Sequence, residues 1–268
     1  MNWFHTLSSG ALAAIVVAAT LVASLTGLAV MSRKVRETTL HKVLDNGAIA
    51  GILAALIGIY AVAAGLTAVA VWSNTGEAAL NVGRESAAIN VLWHDLAGYP
   101  DPPRGDLRRL VMAYTQYVIE KEWPLHQKGE APNISIAEVD RFQDLLFGFE
   151  PRTEGQKVLH GQTIAAYNRL LEARRMRLQA VEDTALPVEL WVVVLLLGVI
   201  AISACFMLRV DSFALHAVIT IMVAAPIALI LYFIAVTDRP FQGGVAVSPA
   251  PYQALVERIM IPEMKGRK

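Results

Sequence analysis

The chain has 268 residues, of which 55% are hydrophobic and 17% charged, with no formal net charge. Soluble domains carry about a quarter charged residues, so this composition belongs to an integral membrane protein, and its zero charge removes the basic field expected of a nucleic-acid binder. The one cysteine, Cys205, excludes an intrachain disulfide and a cysteine-based metal motif.

Residues 7–31 form the first apolar run, led by Trp3 and Phe4 and closed by Ser32-Arg33-Lys34. It is longer than a leader's apolar stretch and no basic segment precedes it, so it is expected to be a retained span. The connector over 33–46 carries Arg33, Lys34, Arg36 and Lys42 against Glu37 and Asp45. The second run, 47–72, holds no charge and is long enough, at about 1.5 Å per residue, to cross a hydrocarbon core of roughly 30 Å. Gly47, Gly51, Gly58 and Gly65 recur along it as a helix-packing face, since small residues let two backbones approach closely. Ile49, Leu53, Leu56, Ile57 and Tyr60 occupy its other faces, as candidates to meet lipid, a partner subunit or a pore.

Residues 73–186 are polar with helical periodicity throughout. Leu80, Ile89, Leu92, Trp93 and Leu96 share a stripe, which extends the second span's helix beyond the membrane until the prolines of 98–105 stop it. A further helix carries Leu107, Leu110, Val111, Tyr114 and Val118 and ends at Trp123-Pro124. Ser135 with Glu138, and Thr153 with Gln156, form capping boxes for two more. The last is dense in charge around Arg174, Arg175 and Arg177, read either as a solvated, ion-paired face or as a patch for inorganic anions or lipid headgroups.

Pro187 opens the third span, 188–208. The short link through Arg209 and Asp211 forces an antiparallel return into the fourth span, 213–236, which holds His216 and Pro226. The expected organisation is a first transmembrane pair in 1–72, a helical extramembrane domain in 73–186, a second pair in 187–237 and a tail in 238–268. The fold class is all-α, with four transmembrane helices and the helical domain between the second and third.

No phosphate loop, nucleophile elbow or paired-histidine zinc motif is present. His94, His126 and His160 are scattered and would need Glu77 or Glu85 to form a metal site. The spans hold Glu189 and His216 as ionisable groups, both near ends. No enzymatic activity, metal or cofactor is therefore expected.

The segment Gly51 to Trp72, Glu122-Trp123-Pro124, Leu186-Pro187-Val188-Glu189-Leu190-Trp191 and Asp238-Arg239-Pro240-Phe241-Gln242-Gly243, in that order, resemble the pattern of a four-span membrane family labelled bestrophin-like. Bestrophins themselves are pentameric anion channels whose two span pairs flank a helical cytosolic domain and whose second span lines an apolar neck. The resemblance implies a homo-oligomer in the lipid bilayer that conducts ions, with inorganic anions as candidates and the second span along the axis. The bulky neck triplet and the acidic calcium clasp of the animal channels are not found here. The alternative is a non-conducting anchor or sensor whose helical domain binds a protein partner.

Four spans place both termini and the helical domain on one side of the cell membrane. The basic connector argues for an external domain. The resemblance and the arginines ahead of the third span argue for a cytoplasmic one, which is the expectation taken here.

Overall fold

The computed structural model describes residues 9–37, 45–132, 136–182 and 186–265. Lys42 and the cap residue Ser135 lie outside them. The described residues form helices and turns, without a strand: α1 (Ser9–Glu37), α2 (Asn46–Asp95), α3 (Pro103–Tyr117), α4 (Trp123–His126), α5 (Ala137–Phe147), α6 (Glu154–Glu182), α7 (Val188–Cys205), α8 (Phe213–Thr237), α9 (Ala250–Leu255) and α10 (Ile261–Lys265). Two compact units result, one drawn from 1–74, 185–238 and 243–245, the other from 75–184, 239–242 and 246–268. The tail beyond 246 thus belongs to the helical unit.

The first unit contains α1, the beginning of α2, α7 and α8. Among the described residues, four helices are long and apolar enough to span a bilayer, and 11% to 28% of their most apolar windows is buried within the chain, so most of that surface is left to lipid or other copies. Asp45 caps α2, accepting from the amides of Gly47 and Ala48 at 3.1 and 3.3 Å. Asn46 exchanges two hydrogen bonds with the backbone of Arg209, at 2.9 and 2.8 Å, which fixes the α7–α8 turn beside the start of α2. Ser212 caps α8. Thr20, Ser24, Thr67 and Thr220 bond carbonyls four residues earlier on their own helices, the usual outcome where no other acceptor exists in lipid. Asp238, just past α8, accepts from the Leu186 amide at 3.0 Å and the Trp191 indole at 3.4 Å. Both halves of that clamp come from motifs that the sequence singles out.

In the second unit, the end of α2 packs among α3, α6 and the C-terminal helices around Leu92, Trp93, Leu107, Tyr114, Tyr167 and Tyr252. Thr153 and Gln156 close the expected capping box on α6: the Gln156 amide donates to Thr153 Oγ1 at 3.2 Å and the Thr153 amide to Gln156 Oε1 at 3.4 Å. Arg108 lies 4.6 Å from the Trp93 ring centroid and pairs with Glu263 at 3.1 Å. Glu263 also accepts from the Trp93 indole, so the C-terminal segment is fastened to the α2 and α3 helices.

Two π-helical turns share one cause. Val118–Glu122 immediately precedes Trp123-Pro124, and Val256–Met260 immediately precedes Ile261-Pro262. Proline has no N–H for an α-type bond, and its ring crowds the carbonyl four residues back. Widening the preceding turn relieves that crowding, and the amides of Trp123 and Ile261 bond the carbonyls five residues earlier.

Candidate functional site

On α2 inside the first unit, Ile49, Leu53, Tyr60, Ala64 and Val71 are buried, at the spacing of one helix face. Gly47, Gly51 and Gly58 are exposed, and a Cβ built on Gly51, Gly58 or Gly65 meets nothing of this chain within 4 Å. Within the protomer, then, the bulky face turns inward and the glycine face outward. Of the bulky set, Ile49, Leu53 and Tyr60 pack inside the protomer, Leu56 is half-buried and Ile57 is exposed. The small residues that allow close packing come from the neighbouring helices instead. A Cβ on Gly198 of α7 would stand 3.4 Å from the Tyr60 ring, and Ala201, Ala224 and Ile227 fill the same cluster. The Tyr60 hydroxyl reaches the Ile227 carbonyl at 3.4 Å, beside Pro226.

The opposite face of the same segment carries Val62, Leu66 and Val69, which are 64%, 69% and 66% exposed. Their spacing of four and three puts them on one stripe, turned away from every other helix of the unit.

The helical unit holds a different feature, a cluster of four buried charges. Arg174 forks onto Glu122 with bonds of 2.9 and 2.6 Å. Arg177 bonds Glu85 at 2.6 and 3.2 Å and Glu122 at 2.8 Å, bridging the two carboxylates. The Tyr114 hydroxyl donates to Glu85 and accepts from Arg174 at 3.4 Å. Arg177 also donates to Nε2 of His126, which must therefore be the neutral acceptor, with its Nδ1 proton turned to the Glu130 carbonyl at 3.4 Å. All six side chains are buried. Burial alone would raise the Glu122 carboxyl, but the bonds from Arg174 and the charge of Arg177 hold it below the usual range. Burial, and then Arg177, pushes His126 down to about 4.

Two arginines balance two glutamates, all four at most 1% exposed, so the cluster works as an internal lock. The expected anion or lipid patch at Arg174 and Arg177 is corrected on this point, while Arg175 remains at the surface. His126 and Glu85 do meet, but through Arg177, and His160 bonds the Tyr99 hydroxyl at 2.7 Å. Among the described residues, no three His, Cys, Asp or Glu side chains gather as metal ligands would.

The remaining motif residues divide between the units. In the helical unit Trp123 is ringed by His126, Phe241 and Tyr252 with centroids 5.7 to 5.9 Å apart, Pro240 is buried, and Pro124 and Arg239 are exposed. Gly129 takes a φ of 77° and Gly243 of 81°, values that favour glycine. A Cβ on Gly129 would collide with the Gln242 side-chain amide. The buried Gln242 thus gives its motif position a packing reason, one that spacing in the sequence does not reveal.

Fold and site define an all-α integral membrane protein with two span pairs and a helical extramembrane unit carrying an internal charge lock. The sequence pattern of the Bestrophin-like domain matches residues 10–252, and the chain belongs to that family. No curated protein matches it. Its fold is similar to that of a bacterial bestrophin homologue from Klebsiella pneumoniae. One structure of that homologue aligns with a TM-score of 0.66 at 12% identity, covering 93% of this chain and 98% of the other. Two single-substitution variants of it align with TM-scores of 0.68 at 12% and 10% identity, covering 92% and 94% of this chain and 98% and 99% of theirs. At such identities the likeness speaks for the fold.

Proposed function

We propose that this protein is an oligomeric channel of the cell membrane that conducts ions, with inorganic anions the favoured class, along an axis lined by the outward face of α2. The observation that carries this reading is the Val62, Leu66 and Val69 stripe: three large apolar side chains on an uncharged span, unpaired within the protomer. Around a closed axis they would form a narrow apolar ring that conducts when wetted and closes by dewetting. Gly51 and Gly58, on the same side, would leave that half of the path wider. Pore-facing positions are thus reassigned from Ile49, Leu53 and Tyr60 to Val62, Leu66 and Val69, while Ile57 keeps an exposed position. Family membership and the likeness in fold to the Klebsiella homologue support the architecture.

Purified protein in liposomes is expected to pass ions above empty controls, and Leu66→Ser, which wets the ring, to raise the flux several-fold. Neither wild type nor Leu66→Ser passing ions across a range of salt and pH would refute conduction and favour a non-conducting anchor.

A further inference from the structure

The helical unit carries a groove of about 440 Å³ between α2 and α6. It is lined by alanines of both helices together with Val91 and Met176, and by the charged Arg84, Arg169 and Glu172. Val91 and Met176 remain 43% and 38% exposed, so the chain leaves this apolar strip unfilled. Elsewhere in the same unit, the end of α5 presents the opposite shape. Phe147 projects as an apolar knob, 54% exposed, and is held edge-on against Tyr167 with centroids 6.3 Å apart, while Leu145 stands about 200° round the helix from it, on the other flank. Asp140 and Asp144, seven and three residues before Phe147, share its side of α5, while Glu154 is already paired with Lys157 at 2.7 Å.

We propose that the α2–α6 groove receives the α5 knob of a second copy of this chain, in a head-to-tail contact. Three features support one occupant over others. The groove and knob match in character, an alanine-lined slot for a phenylalanine. Their charges are complementary, since Arg84 and Arg169 outnumber Glu172 at the slot while Asp140 and Asp144 stand on the Phe147 side of α5. They also lie on different flanks of α6: Ala166, Arg169, Ala173 and Met176 form one stripe, and Tyr167, which seats Phe147, points roughly 140° further round at about 100° per residue. A protomer therefore cannot fill its own groove with its own knob. A head-to-tail contact that closes makes a ring, the symmetry a central conduction axis requires. The contact deepens the oligomer reading above and rests on it.

The test uses the full chain in its native membrane on a Cys205→Ala background. Val91→Cys and Phe147→Cys together, treated with a short bis-maleimide, are expected to give a ladder of covalent oligomers. Each single variant should stay monomeric, and the two singles co-expressed should stop at dimers. Arg169→Glu should cut the cross-linked fraction several-fold, and Asp144→Arg added to it should restore most of the loss. Native mass measurement on the wild type separates the two ideas. An intact oligomer whose double-cysteine variant gives no ladder overturns the groove contact and leaves assembly standing. A monomeric wild type overturns both. Dimers from either single variant, or an amphiphile bound in the groove of the intact oligomer, also overturn it.

Discussion

Replacing Arg177 by Met removes the one guanidinium that joins Glu85 to Glu122, while keeping most of the side-chain volume. Glu122 retains its fork from Arg174, but Glu85 is left with the Tyr114 hydroxyl as its remaining partner among the cluster bonds, and Nε2 of His126 loses its donor. Breaking a buried ion pair from one side costs about 3–5 kcal/mol, because the partner charge stays desolvated. A loss of that size in a unit of this length lowers the melting midpoint by roughly 10 °C. Glu85→Gln in the same chain removes the stranded charge, so the double variant should recover about 1–3 kcal/mol over Arg177→Met alone. Trp93 and Trp123 are buried in this unit, and their fluorescence during denaturant titration in detergent reports its unfolding. Arg177→Met within about 1 kcal/mol of wild type, or a double variant no more stable than the single, would refute the lock. The intact lock need not be a net gain over a well-packed apolar core. What it contributes is specificity, because α2, α6 and the α3–α4 corner satisfy all four charges in one arrangement.

Acid should loosen the same region. His126 is held neutral with a folded value of about 4 against 6.5 unfolded, so its contribution is complete above pH 6.5 and is lost as pH falls toward 4, a change of about 3 kcal/mol; His126→Gln should flatten the stability profile across that window. Gly129→Ala should cost about 1–2 kcal/mol for the left-handed backbone and more for displacing Gln242, and a Gln242→Ala background should return only the second part, read by the same titration. Asp238→Ala strips the acceptor from the buried Leu186 amide and should destabilise the transmembrane unit by about 1–3 kcal/mol, measured by thermal aggregation in detergent, with Asp238→Asn retaining part of the clamp. Gln127→Cys on Cys205→Ala should resist an impermeant maleimide in intact cells and react after permeabilisation; labelling of intact cells would place the helical unit outside.

Much of the architecture is legible because lipid makes severe demands. Four long apolar runs have no other stable fate, and the stripe of Ile89, Leu92, Trp93 and Leu96 already carries α2 past the membrane, although Leu80, read into the same stripe, is 60% exposed and lies on another face. The charge lock is harder to see, since Glu85 and Arg177 are 92 residues apart in the chain. A local signal for it does exist. On α6, Arg174 and Arg177 fall on the same stripe as Tyr167, Leu170 and Leu178, and on α2 Glu85 falls between Val82 and Ile89. A charge on the core-facing stripe must find a buried partner, so these positions differ in kind from Arg175, which lies off that stripe and stays in solvent.

The second span shows where composition alone misleads. Its glycines and alanines suggest a face made to be packed against, but close approach between two helices needs smallness on one side only. At Tyr60 the small residue is Gly198, on the other helix, so α2 can give its bulk to the interior and keep its glycines outside. That choice decides which side chains are left over. Had the glycine face been buried, the outward stripe would have included Ile49, Leu53 and Tyr60, with a phenol among its apolar groups. As folded, Val62, Leu66 and Val69 form a purely hydrocarbon stripe, so a ring of them would have no polar group to hold water in place. A barrier of that kind depends on width and wetting more than on charge. For that reason a single hydroxyl at Leu66 is the sharpest perturbation of it, and any preference for anions must arise from charges outside the ring.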